Sequence, residues 1–167
     1  ERELKIIQNL LNAQVDGILI STSYSNDEKD KLEPVLKKTT PFIFFDRKLN
    51  FPDISYVTID DFQGGFDATK HLIDQGCKRI AHFYVNNDLE LYQNRLDGYK
   101  SALLENGLEF KPEYVISLKS DMEAGMKAAE RLMKLPLPPD AIFSSTDKGL
   151  LGAIKYLQSL SINIPDD

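Results

Sequence analysis

Hydrophobic positions along this chain switch repeatedly between a helical and a strand-like period. Leu4, Ile7, Leu10 and Leu11 recur at helical spacing over residues 1–13, and Val15-Asp16-Gly17-Ile18-Leu19-Ile20 then reads as a buried strand ending at Ser21-Thr22-Ser23. A helix is predicted over about 27–38, limited or kinked by Pro34, whose ring and missing N–H disrupt a helix interior. Pro41 opens a strand through Phe45, a loop with Asn50 and Pro52 follows, and residues 55–59 form a further short strand. Asp60 or Asp61 can cap a helix over about 62–75 that closes at Gly76, a residue type that tolerates the left-handed conformation at a helix end. Then come strand 79–85, a helix over about 94–106 closed by Gly107, strand 113–118, a helix over about 122–134, strand 140–144 and a helix over about 147–160.

Strands alternating with helices of this length imply right-handed crossovers and parallel sheets, so the fold class is α/β. One set of units ends near Asp60-Asp61 and a second begins, which divides the chain into residues 1–60 and 61–167. Three strands run into charged residues. Ile43-Phe44-Phe45 stops at Asp46-Arg47, Ala141-Ile142-Phe143 leads through Ser144-Ser145-Thr146 to Asp147, and the strand through Tyr84 leads by a short loop to Arg95. Carboxyl ends of parallel strands point one way, and open α/β sheets bind ligands there, so these groups are expected to converge on one crevice.

Composition narrows the functional classes. A chain of 167 residues with 42% hydrophobic and 28% charged positions builds one or two compact domains and is neither disordered nor fibrous. No apolar run reaches the ~18 residues of a membrane span. Net charge is −6 and the 20 Lys and Arg are scattered, so residues 1–167 carry no basic footprint for a phosphate backbone. A single cysteine, Cys77, forms no internal disulfide framework and leans toward a reducing cytoplasm. With it and two histidines, His71 and His82, there is no zinc spacing, and neither a metal nor a cofactor is expected.

Each candidate residue also has a plain structural reading. Gly64-Gly65 lacks the third glycine of a dinucleotide fingerprint and reads as close packing of a helix start on the sheet. Asp46 either meets a ligand, caps the next segment or pairs with a neighbouring Arg or Lys on the surface, and Asp147 either meets a ligand or caps the helix after Thr146. Arg95 in the first turn of a helix opposes the helix macrodipole, which a ligand oxygen or a carboxylate would offset. His82 reads as a strand residue held by a hydrogen bond, and His71 as a helix-face residue. Serines 144 and 145 lack the glycine pattern of a nucleophile elbow, so no catalytic set is assembled and an enzyme is not expected.

In these segments the chain resembles the effector-binding domain of the lactose-repressor (LacI/GalR) family of bacterial transcription regulators. The resemblance rests on Val15-Asp16-Gly17-Ile18, the 41–47 run ending in Asp46-Arg47, Val57-Thr58-Ile59-Asp60-Asp61 with Gly64-Gly65, His71-Leu72-Ile73 with Gly76 and Arg79-Ile80-Ala81, Arg95 through Leu103, and Pro139-Asp140-Ala141-Ile142-Phe143 through Asp147, Gly152-Ala153 and Ile164-Pro165. It implies a two-lobed, periplasmic-binding-protein-like fold, truncated here at both ends, in a cytoplasmic homodimer whose operator DNA is met by a helix-turn-helix headpiece absent from residues 1–167. Effector binding in the interlobe cleft would bias the conformation that controls operator affinity. By motif position Asp46, Arg47, Arg95 and Asp147 match effector-contacting residues of that cleft. Aspartates accept from paired hydroxyls and arginine offers a planar fork, so the resemblance implies a small polar effector, a sugar first. Residues 85–93 contain no arginine, so contacts that relatives make there do not carry over. The rival readings are an exported sugar-binding protein feeding a transporter and, from another class, a nucleotide-using α/β enzyme.

Overall fold

The computed structural model describes residues 2–36, 40–86, 89–119 and 121–165. It divides into two compact units, the first comprising Glu1–Asp60 with Asn87–Leu91, the second Asp61–Asn86 with Tyr92–Asp167. In the first, α1 (Arg2–Asn12) precedes β1 (Ile18–Ile20), a 3-10 turn (Asn26–Lys31), α2 (Glu33–Leu36), β2 (Phe42–Phe45) and β3 (Ser55–Val57). The second unit carries α3 (Asp61–Asp74), β4 (Ile80–Tyr84), most of α4 (Glu90–Glu105), a 3-10 turn (Pro112–Tyr114), β5 (Val115–Ser117), α5 (Met122–Met133), β6 (Ala141–Ser144) and α6 (Asp147–Ser159). Both sheets are wholly parallel, ordered β1-β2-β3 and β5-β4-β6. No helix of the described residues is long and apolar enough to cross a membrane.

The first sheet is covered on one face. Ile18, Ile20, Phe42 and Phe44 pack with Ile7 of α1 and Leu32 and Val35 around α2. The alternate positions Leu19, Ile43, Phe45 and Val57 are exposed. The expected buried strand through Ile20 is therefore half-buried, with the period-2 alternation of a one-sided sheet. The helix expected over 27–38 is instead a 3-10 turn followed by one α turn, with residues 37–39 outside the described set. Asn26–Lys31 contains no apolar side chain to dock, and Pro34 stands in the first turn of α2, where its missing N–H leaves no bond unmade.

The second sheet is covered on both faces, as the four buried residues of β4 show. Ala81 and Phe83 pack with Ile116, Ala128, Ala129, Leu132 and Ala153 toward α5 and α6. Ile80 packs with Leu96, Tyr99 and Leu103 of α4. The helices approach each other closely. A Cβ on Gly152 would lie 2.0 Å from the Met122 carbonyl oxygen, and one on Gly125 would lie 1.9 Å from that of Gly149. Gly76 and Gly107 end α3 and α4 with φ of 96° and 70°, the left-handed closure expected of glycine.

His82 is fully buried within this face. Its ring stacks with Phe143 at 4.6 Å and Tyr99 at 5.0 Å, and its Nδ1–H donates to the Phe143 carbonyl at 3.1 Å. The bonded strand histidine expected from sequence is thus present, but Nε2 has no partner among the described residues. Protonation there would create a buried N–H without an acceptor, and burial pushes the His82 pKa down to about 4. Between pH 6.5 and about 4 the unfolded chain binds this proton and the folded chain does not, so stability is lost as pH falls through that window. We expect the loss to be on the order of 3 kcal/mol by urea denaturation at pH 4 against pH 7. His82→Phe should flatten it, and an unchanged acid dependence in that variant would contradict the assignment.

Candidate functional site

Past β2 the chain does not continue as a regular strand. Asp46 adopts φ of 59°, a left-handed conformation that aspartate tolerates better than most side chains. Its N–H donates to the Val57 carbonyl at 3.1 Å, and Phe45 and Arg47 form an isolated bridge. This tight turn holds Asp46 and Arg47 at the carboxyl end of the first sheet. Arg47 Nε–H donates to Ser21 Oγ at 3.1 Å, Ser21 donates to Asp46 Oδ2 at 3.3 Å, and the two charged groups stand 3.6 Å apart. The serine at the end of β1 thus joins them. The next residues are tied down separately by Glu3, which accepts from Thr22 Oγ1 at 2.7 Å, from Ser23 N–H at 2.9 Å and from the Ser23 hydroxyl. Asp46 remains exposed.

In the second unit Arg95 belongs to the second turn of α4, not the first, because α4 starts at Glu90. The opposition to the helix dipole inferred from sequence therefore lapses, and a carboxylate explains the placement instead. Arg95 Nε–H donates to Asp61 Oδ1 at 2.8 Å, and its Nη2 lies 2.7 Å from the same oxygen. Nη1–H donates to the Ser145 carbonyl at 3.1 Å. Ser145 is itself locked, its N–H and its Oγ–H each donating to the Phe83 carbonyl at 2.9 Å. Arg95 is thereby tied to the loop between β6 and α6 that leads two residues on to Asp147.

Asp147 does not cap α6. Thr146 occupies the N-cap position, without a side-chain capping bond, and Asp147 is the first helical residue. Its carboxylate is exposed, and no hydrogen bond to it occurs among the described residues. The glycine pair has a different partner from the one expected. Gly65 packs on α4 rather than on the sheet, since a Cβ there would lie 2.4 Å from the Arg95 carbonyl oxygen, whereas Gly64 faces open space.

Each unit thus joins its own predicted residues: Asp46 with Arg47 through Ser21, and Arg95 with the Asp147 loop through Ser145. Sequence reasoning missed Asp61, Ser21 and Ser145 as members. Asp61 carried a usable signal, standing four residues before Gly65 and hence on the same face of α3. A groove of about 320 Å³ between α1 and β1 holds none of the predicted residues and is lined mainly by Ile6, Ile7, Leu10, Leu19 and Ile20. Among the described residues no three His, Cys, Asp or Glu side chains gather as a metal site.

With this geometry in view, the likeness to known proteins is informative. Residues 1–167 match the family of periplasmic binding proteins and sugar binding domain of LacI family, and the chain belongs to that family. It is 34% identical to catabolite control protein A of Priestia megaterium over 170 aligned positions, covering 100% of this chain and 50% of that protein. Among solved structures, a regulatory protein of the LacI family from Chloroflexus aggregans superposes with a TM-score of 0.85 at 28% identity, over 98% of this chain and 59% of that one. The transcriptional regulator CelR in complex with cellobiose gives 0.80 at 30% identity, over 98% and 50%. The chain spans about half the length of the relatives it matches. The parallel α/β architecture expected from sequence is that of these regulators.

The left-handed turn separates two properties of Asp46. Asp46→Gly should leave the urea midpoint unchanged or slightly raised, since glycine adopts this φ freely, whereas Asp46→Val should lower stability by about 1–2 kcal/mol. Equal melting of the two variants would show that the turn does not constrain this position.

Proposed function

We propose that the chain is the effector-sensing part of a cytoplasmic, homodimeric transcriptional regulator, and that it binds a small polar ligand, a sugar, through Asp46, Arg47, Arg95 and Asp147. Effector occupancy shifts the conformation of the full-length protein and so its affinity for operator DNA, which a separate headpiece contacts. The observation that carries this reading is the position of the four charged groups at or beside carboxyl ends of parallel strands, where α/β sheets take ligands. Relatives at 30–31% identity include a probable transcriptional repressor, ExuR of Bacillus subtilis, and the transcriptional repressor CytR of Escherichia coli, which favours a regulator over an exported binding protein. CelR, similar over nearly all of this chain, is known as a complex with cellobiose, which favours a sugar.

The chemistry fits that ligand class. Asp46 and Asp147 offer exposed carboxylates that accept from vicinal hydroxyls, and Arg95 offers the N–H groups that its protein partners leave unused. Asp147 is the cleanest probe, because Arg95→Ala would also strand the buried Asp61 carboxylate and so mix folding with binding. In the full-length protein, thermal-shift screening against sugars identifies the effector, since a ligand at 100 times its Kd adds about 2.7 kcal/mol of stability. Asp147→Asn should then weaken that effector by about 1–3 kcal/mol in titration calorimetry while lowering ligand-free stability by less than about 1 kcal/mol, the worth of one exposed carboxylate at a helix start. Arg95→Ala should weaken it by at least ~1.5–3 kcal/mol. Full effector affinity in both variants would remove the proposed site.

A further inference from the structure

The charge state of the arginine fork narrows the ligand class, an inference that rests on the site proposed above. Asp61 and Gly65 lie one turn apart on the same face of α3, and that face meets α4 at Arg95. The crossing is as close as backbone allows: a Cβ on Gly65 would come within 2.4 Å of the Arg95 carbonyl oxygen, and one on Gly98 within 2.1 Å of that of Phe62. Asp61 is consequently held against the guanidinium, its side chain only 8% exposed, while Arg95 remains 25% exposed. Of the five N–H groups of a guanidinium, that on Nε donates to Asp61, whose Oδ1 also lies 2.7 Å from Nη2, and one on Nη1 donates to the Ser145 carbonyl. Each terminal nitrogen keeps at least one N–H to donate.

We propose that Asp61 is a specificity-determining residue: it neutralises Arg95, so the fork presents directional donors without net positive charge and selects neutral hydroxyl or carbonyl oxygens over phosphate or carboxylate groups. An unpaired arginine would instead be a strong anion site. The Asp147 carboxylate, two residues past Ser145, reinforces the preference, since it stands at the amino end of α6, where an anion would otherwise be favoured. An unphosphorylated sugar meets these requirements, and a sugar phosphate does not.

The test uses inorganic phosphate as the anionic probe and isothermal titration calorimetry on the full-length protein, comparing wild type, Asp61→Asn and the doubly neutral Asp61→Asn/Arg95→Gln. Wild type and the double variant should bind phosphate equally weakly, and Asp61→Asn should bind it about tenfold or more tightly than either. Asp61→Asn binding no better than wild type would overturn the proposal. So would wild type binding tenfold more tightly than the double variant, an outcome that does not depend on the single variant folding. Phosphate reads the charge at Arg95 whatever the effector is. Failure to bind any sugar would therefore count against the proposed function, and the phosphate comparison would still decide the role of Asp61.

Discussion

The crossing of α3 and α4 at Gly65 and Gly98 sets the geometry on which the second unit's charged cluster depends. Backbone meets backbone there, with no side chain between, and so Asp61, one turn before Gly65, reaches both Nε and Nη2 of Arg95. Arg95 in turn binds the Ser145 carbonyl, and Ser145 is fixed to Phe83 in the central strand. A methyl group at either glycine would have to part the helices, and an Asp61 separated from Arg95 would be a buried carboxylate without its cation, which is strongly destabilising. Local packing and site geometry are therefore one constraint in this unit.

The first unit holds its charged pair by other means. Asp46 is exposed and Arg47 and Ser21 are half-buried, and an ion pair this open to solvent contributes only about 0–1 kcal/mol. Backbone conformation supplies the order instead, through the left-handed φ at Asp46 and its N–H bond to Val57. The two units thus reach similar chemistry by a desolvated network in one and a constrained turn in the other. A desolvated network resists rearrangement, whereas the exposed carboxylate of Asp46 can reorient toward a ligand without breaking a buried bond.

What could be read from sequence was whatever local pattern determines. Alternating β and α periods located the six strands found among the described residues, and Gly76 and Gly107 marked helix ends because φ there is a local requirement. Two helix boundaries failed for local reasons as well: Asn26–Lys31 has polar helix-formers but no apolar face, and the Asn- and Asp-rich stretch before Leu89 hid the start of α4 four residues earlier than expected. The partner of Asp61 could not be read in this way, because it lies 34 residues away and the contact exists only after α3 and α4 pack. The same holds for Gly65, whose neighbour is the backbone of Arg95 rather than the adjacent sheet. Family resemblance pointed to Arg95 and Asp147 by motif, but the residues that position them, Asp61 and Ser145, emerged only from tertiary geometry.

The most direct measurement of the central claim is a crystal structure of the full-length protein bound to the effector that stabilises it. The expected result is a neutral polar ligand within hydrogen-bond distance of the terminal N–H groups of Arg95 and of the Asp46 and Asp147 carboxylates, with Asp61 still accepting from Nε. A ligand seated away from these four residues, or one that displaces Asp61 to place an anionic group on Arg95, would contradict it.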